Sequence, residues 1–245
     1  MAGSLFYNLG RKIGPKVRKA RWMWESLTGT EADAIRMEHG VGLDLAHEAK
    51  TQLAMDPDPQ TARVLEEIGH RLSACVANQL RSFRFDAFEG GQPNAFALPG
   101  GFIFVSRPIL ELCRWDKDQI AFVLAHEMAH VIRRHAIERV VTNSAVCMAA
   151  RAAPVSGALG AWLHTVGLRF LETAYSRDQE LEADNLGVRL GMAAGYRSQA
   201  CMELFSRLAE LNKAIDPAIL GEYFSTHPNS EVRIRSIRLF LQQHR

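Results

Sequence analysis

The chain has 245 residues, 47% apolar and 23% charged, with 29 Lys and Arg against 27 Asp and Glu for a net charge of +2. That length holds one sizeable domain, or one with a short appendage, and the composition excludes collagen, coiled-coil or disordered character for most of it. The charge balance excludes a polyanion such as nucleic acid as the partner of the whole surface, although cationic charge is concentrated at the N-terminus.

In residues 1–28, Arg11, Lys12, Lys16, Arg18, Lys19 and Arg21 all precede the first acid, Glu25. Phe6, Leu9, Ile13, Val17, Ala20 and Trp24 recur at three and four residues and share one helical face, which Gly14-Pro15 should kink or restart. Three readings stay open for this basic amphipathic segment: a helix on an anionic membrane surface, a helix packed on its own domain, or a Ser-poor mitochondrial transit peptide. The first apolar stretch is interrupted by Arg11 and Lys12, unlike a secretory signal, so a cytoplasmic and membrane-peripheral location is expected unless the segment is a transit peptide. Cys75, Cys113, Cys147 and Cys201 lie far apart and read as small buried hydrophobes rather than a disulfide framework or a thiolate zinc site.

Residues 29–245 read as one domain. Thr30 and Asp33 make a capping-type start for a helix running through Leu45 to about Leu53. After Asp56-Pro57, Asp58 caps a second helix with Pro59 at its first position, carrying Val64, Leu65, Ile68, Leu72 and Val76 inward. Phe83 and Phe85 alternate with Arg84 and Asp86 in a strand pattern. Asn94–Leu98 is a second strand, Pro99-Gly100-Gly101 turns the chain, and Phe102–Val105 returns. Helices resume at Arg107. The longest apolar candidate, Ala145 to Leu168, is broken by Arg151, Pro154 and His164 and reads as buried or interfacial helices. The expected fold class is α+β, mostly α, with one small three-stranded sheet.

The chemistry is concentrated in Ala125-His126-Glu127-Met128-Ala129-His130, inside a helix expected to start at a capping box of Asp116 with Gln119 and to run past Ile132. Positions i and i+4 lie about 40° apart on a helix, so both imidazoles can point at one ion. Glu127 is about 100° round from His126, able to reach a ligand of that ion without binding it. Zinc catalysis needs nitrogen or oxygen ligands, an open position for water and a general base, and Glu127 suits the last role. The alternative is a pair of core histidines with an unrelated Glu. A third ligand is not available six residues after His130, where Ala136 stands. Some fifty residues on, Tyr175–Asp184 reads as another helix with Glu180 and Asp184 at i and i+4. Glu180 can serve as ligand, or be an ordinary surface acid, while Asp184 can accept the free N–H of a ligating imidazole. Glu182 points elsewhere. Leu181, Leu186 and Val188 are its expected apolar contacts.

The HEMAH helix, the SRDQELEAD helix and the preceding NAFALPGG strand pair together resemble the gluzincin peptidases that include the CAAX prenyl proteases and heat-shock membrane protease X. The closest likeness is to the compact branch of mitochondrial overlapping-activity proteases and bacterial outer-membrane-assembly proteases, and it covers roughly Thr30 to Arg245. The resemblance implies a zincin-like fold and a zinc-dependent endopeptidase of protein or peptide substrates. One Zn2+ per chain would be held by His126, His130 and Glu180, with Glu127 as base and Asp184 behind a ligand. The Asn94–Leu98 strand is then an edge for substrate main-chain pairing, or else a structural strand inside the sheet.

His227, before Pro228, has three candidate roles: a donor to the tetrahedral intermediate, an occupant of the open metal position that keeps the enzyme latent, or a residue packing the C-terminal segment. Arg233 can bind a carboxylate nearby, and His135 is expected to support or pack against the site. The rival functional classes are a zinc-binding chaperone or assembly factor without proteolysis, and a membrane-surface adaptor working through residues 1–28.

Overall fold

The computed structural model describes residues 30–143, 174–214, 227 and 231–243. The basic N-terminal segment and the apolar stretch from Ala145 to Leu168 lie outside the described residues, as does Cys147. The chain is mostly helical, with one small mixed sheet. In order come α1 (Glu31–Gln52), α2 (Pro59–Ala74), β1 (Arg84–Phe88), β2 (Ala95–Leu98), β3 (Phe102–Ser106), α3 (Arg107–Leu112), α4 (Lys117–Ile132), α5 (His135–Asn143), α6 (Arg177–Ala193), α7 (Gln199–Ala214) and α8 (Glu231–Gln243). No helix among the described residues is long and apolar enough to cross a membrane.

Local signals set the ends. The Thr30 hydroxyl accepts from the Asp33 backbone N–H, and Asp58 accepts from that of Gln60 with Pro59 opening α2, each satisfying an N–H that the helix leaves unpaired. At α4 the Asp116 carboxylate accepts from the backbones of Asp118 and Gln119. The Gln119 side chain does not complete the expected box: its amide donates to Glu203 and its oxygen accepts from Arg207, because polar side chains of the later helix α7 compete for it. Nor does α4 run past Ile132. Arg134 adopts a left-handed φ of 64°, and the chain turns there into α5.

The strand order is β1-β3-β2, with β1 parallel and β2 antiparallel to β3. Between β2 and β3, Gly101 has φ 96°, and a Cβ there would come 1.9 Å from the Ser82 carbonyl oxygen, so the turn requires glycine. The sheet is covered on both faces. Phe88, Phe96, Leu98, Phe102 and Phe104 pack with Leu45, Ala46 and Ala49 of α1 and with Ile137 of α5. Ala87, Ala95, Ala97, Ile103 and Val105 face Leu65, Ile68 and Leu72 of α2 and the apolar residues of α4. Two-sided burial explains why Phe102–Val105 is apolar without interruption, where a one-sided sheet would alternate. Val64 is only partly buried beside its expected partners. Cys113 and Cys201 are buried, but Cys75 caps the exposed C-terminus of α2 and is not the core residue expected.

Candidate metal centre

Helix α4 is the central element. Every residue from Gln119 to Val131 is buried, including His126, Glu127 and His130. A helix apolar all round belongs in an interior, and ionisable groups there are costly unless they meet partners. Those partners come from α6, which lies along α4. Ser176 and Gln179 form a reciprocal capping box at its start, orienting the first turn that carries Glu180. Leu181 and Leu186 are only partly buried. The packed face is Ala183, Gly187, Val188 and Leu190, smaller than expected. A Cβ on Gly187 would lie 3.1 Å from the His126 backbone nitrogen, so this glycine lets α6 approach the first histidine.

The result brings His126, His130, Glu180 and His227 together, all buried, with one donor atom from each within 4.8 Å of the others. His126 Nε2 is 3.1 Å from His130 Nε2, and His130 Nε2 is 3.3 Å from Glu180 Oε1. His227 Nδ1 is 3.2 Å from His126 Nε2 and 2.9 Å from Glu180 Oε1. Behind this group, His126 Nδ1 faces Asp184 Oδ1 at 3.0 Å, and His130 Nδ1 faces His135 Nδ1 at 3.2 Å. A proton on each Nδ1, facing those partners, would leave both Nε2 lone pairs turned toward the same point. A tetrahedral ion with bonds of 2.0–2.1 Å has ligand–ligand edges of about 3.3 Å, so the donor set fits such an ion in chemistry, and its contacts of 2.9, 3.1, 3.2 and 3.3 Å lie near those edges.

Arg233, on α8, closes the base of the site. Its Nε donates to Asp184 Oδ2 at 2.7 Å, Nη2 to Asp184 Oδ1 at 2.6 Å, and Nη1 lies 2.5 Å from Glu180 Oε2. The expected carboxylate partner of Arg233 is thus supplied by α6. Burial pushes the Glu180 carboxyl upward, but His227, Arg233 and the histidine hydrogen bonds outweigh it and hold it far below the usual range. Asp184 is likewise held down by Arg233 and His126 against its burial. Burial opposes protonation of His126, yet Asp184 and Glu180 outweigh it and raise that imidazole. Burial prevails at His130 and lowers it.

Glu127 is fully buried, and neither carboxylate oxygen accepts a hydrogen bond among the described residues; His227 Nε2 lies 3.4 Å from Oε1. Glu182 is 46% exposed and reaches Arg133 and the far nitrogen of His135. Two residues carried no expected role. Tyr175 stacks on the His130 ring at 3.8 Å and 18°, and the Arg139 guanidinium covers its ring at 4.2 Å. Burial pushes the Tyr175 phenol up, Arg139 opposes this, and the charges of Glu127 and Glu180 add to it. A buried arginine on α5 and a tyrosine before a cap carry no recognisable spacing in the sequence. Arg139 Nη2 also donates to the Ala97 carbonyl at 3.3 Å, tying β2 to this layer. Among the described residues β2 stands at the end of the strand order, so it is an edge strand and not enclosed within the sheet.

The sequence is similar to known peptidases. The model of peptidase family M48 matches residues 59–240. The chain is 37% identical over 155 residues to the mitochondrial metalloendopeptidase OMA1 of Schizosaccharomyces pombe, an alignment covering 62% of this chain and 44% of that protein. The OMA1 of Saccharomyces cerevisiae is 35% identical over 161 residues, covering 61% of this chain and 44% of that protein. A putative beta-barrel assembly-enhancing protease of Vibrio cholerae is 31% identical over 193 residues, covering 74% and 39% respectively. The chain therefore spans less than half the length of these relatives.

Proposed function

The chain belongs to peptidase family M48, and from that premise we propose that residues 29–245 form a single zinc-dependent endopeptidase domain acting on proteins or peptides. The observation that carries the proposal is the convergence of the His126, His130 and Glu180 donors beside a buried Glu127 that has no hydrogen-bond donor of its own. His126, His130 and Glu180 would hold one Zn2+, with Asp184 orienting His126 and Arg233 holding Asp184 and Glu180 in place.

When bound, the metal supplies Lewis acidity, which favours ionisation of a water and polarisation of a carbonyl. The protein supplies the rest. Glu127 takes the proton of the attacking water and returns a proton to the leaving amine. Among the described residues no donor hydrogen-bonds to its oxygens, which leaves them free to accept that proton. The edge strand β2 pairs with an extended substrate and presents one of its carbonyls to the centre. Localisation follows residues 1–28: an anionic membrane surface if the segment binds lipid, mitochondria if it is a transit peptide.

The position of His227 supports a second reading. Its Nδ1 stands at a corner of the donor group, where an open site would receive water or substrate. In this arrangement the centre is closed, as in a latent protease or a zinc-binding assembly factor. Cleavage of an unfolded model protein by the zinc-loaded chain distinguishes the readings. Proteolysis abolished by chelation and restored by Zn2+ is the expected result, with His227→Ala cutting faster if the imidazole blocks the site. Stoichiometric zinc with no cutting by either form favours the assembly factor.

A further inference from the structure

Around the proposed centre, buried acceptors and a buried donor are left apart from one another. Both oxygens of Glu127 lack hydrogen-bond donors, and the hydroxyl of Tyr175, in a residue only 5% exposed, has no hydrogen-bond partner among the described residues. A buried phenol without a partner forfeits its solvation, so its retention at such a place calls for a reason. Packing alone does not provide one, because phenylalanine would stack on His130 equally well. The ring is held from both faces, by His130 at 3.8 Å and by Arg139 at 4.2 Å, with Arg139 itself tied to the Ala97 carbonyl of β2. Its centroid lies 5.3 Å from that of His227, the residue standing at the corner of the donor group that substrate would take. The ring is thus fixed between His130 and Arg139 beside His227, and its one hydrogen-bonding group is unused among the described residues.

We propose that the Tyr175 hydroxyl is a catalytic group, donating a hydrogen bond to the substrate carbonyl oxygen as that oxygen becomes an oxyanion. This deepens the endopeptidase reading and rests on it. As the water oxygen bonds to the carbonyl carbon, the π electron pair moves onto the carbonyl oxygen, and Tyr175 meets that charge without giving up its proton. When the tetrahedral carbon collapses, the pair returns, the C–N bond breaks, and the amine leaves with the proton carried by Glu127. A donor already fixed before reaction costs no reorganisation when charge develops, and that is where its contribution to rate arises. His227 must leave its corner for substrate to enter, whereas Tyr175 need not move.

Tyr175→Phe is the test, because it keeps the stack and removes only the hydroxyl. The variant is expected to hold zinc at the wild-type stoichiometry and melt at the wild-type temperature. Removing a buried hydroxyl that has no partner among the described residues can only hold or raise that melting temperature, while kcat on a peptide substrate should fall about 100-fold with KM within about twofold. Calorimetry of the zinc-loaded chains with a phosphinic peptide, a tetrahedral anion, should show at least about tenfold weaker binding by the variant. An unchanged kcat and an unchanged phosphinic-peptide affinity overturn the assignment while leaving the endopeptidase reading intact. Loss of zinc from Tyr175→Phe also overturns it, by making the residue a support for the metal site. A wild-type chain that takes up no zinc and neither cuts nor binds the phosphinic peptide overturns the endopeptidase reading itself, and this inference with it.

Discussion

Glu127→Gln is expected to lower kcat by at least about 10³-fold, some 4 kcal/mol of transition-state stabilisation, while zinc content is unchanged. The two halves of this prediction have separate causes. The amide cannot accept the proton of the attacking water, so the acid–base contribution is lost. The carboxylate is outside the donor group formed by His126, His130, Glu180 and His227, so metal binding does not depend on it. Since its oxygens accept no hydrogen bond among the described residues, replacement by the neutral isostere breaks none of those contacts and removes a buried charge. Thermal stability should therefore hold or rise. Single-turnover cleavage, metal analysis and a melting curve on the same preparations check all three statements. Activity within tenfold of wild type would remove Glu127 from the mechanism.

Arg233→Met is expected to cost about 3–5 kcal/mol of stability in the metal-free chain at pH 7, the largest loss foreseen for a residue outside the donor group. Arg233 is among the largest fully buried side chains and gives three of its nitrogens to Asp184 and Glu180. Methionine fills much of the volume but leaves two buried carboxylates without their guanidinium. The pH dependence has a definite sign. Both folded-state carboxyls are depressed, so the stability they contribute is present above the unfolded-state carboxyl range, near pH 4, and is lost as pH falls through the depressed folded values. Without Arg233 those folded values rise, and acid unfolding should begin at a higher pH. Urea titrations from pH 7 to pH 3 measure this. A variant as stable as wild type across that range would show that Arg233 is not the counter-charge of the site.

Much of this architecture was legible because it is written in short-range patterns. A His at i and i+4, a carboxylate at i and i+4, and Thr30, Asp58 and Asp116 at helix starts each impose geometry within one or two turns. The fold class followed from the same periodicities. What the patterns did not carry is the pairing between distant segments. The parallel alignment of β1 with β3, the closure made possible by Gly187, and the two-sided covering of the sheet depend on contacts between elements far apart in sequence. The Arg139–Tyr175–His130 stack is of the same kind. His135 was legible only as a neighbour of the site, because its contact with His130 Nδ1 depends on the break at Arg134, which no proline or glycine marks. Gln119 stood at a capping position, yet Glu203 and Arg207 of α7 claimed its side chain.

The account turns on what binds between His126, His130 and Glu180. X-ray absorption at the zinc edge of the zinc-loaded full chain tests this most directly, because it reports ligand atoms and distances independently of any substrate. The predicted result is one zinc per chain in a four-coordinate shell of nitrogen and oxygen at about 2.0–2.1 Å, with the scattering pattern of imidazole and no sulfur. Glu180→Ala should lose that shell. Less than one zinc per chain, a sulfur neighbour at about 2.3 Å, or a shell unchanged in Glu180→Ala would contradict it.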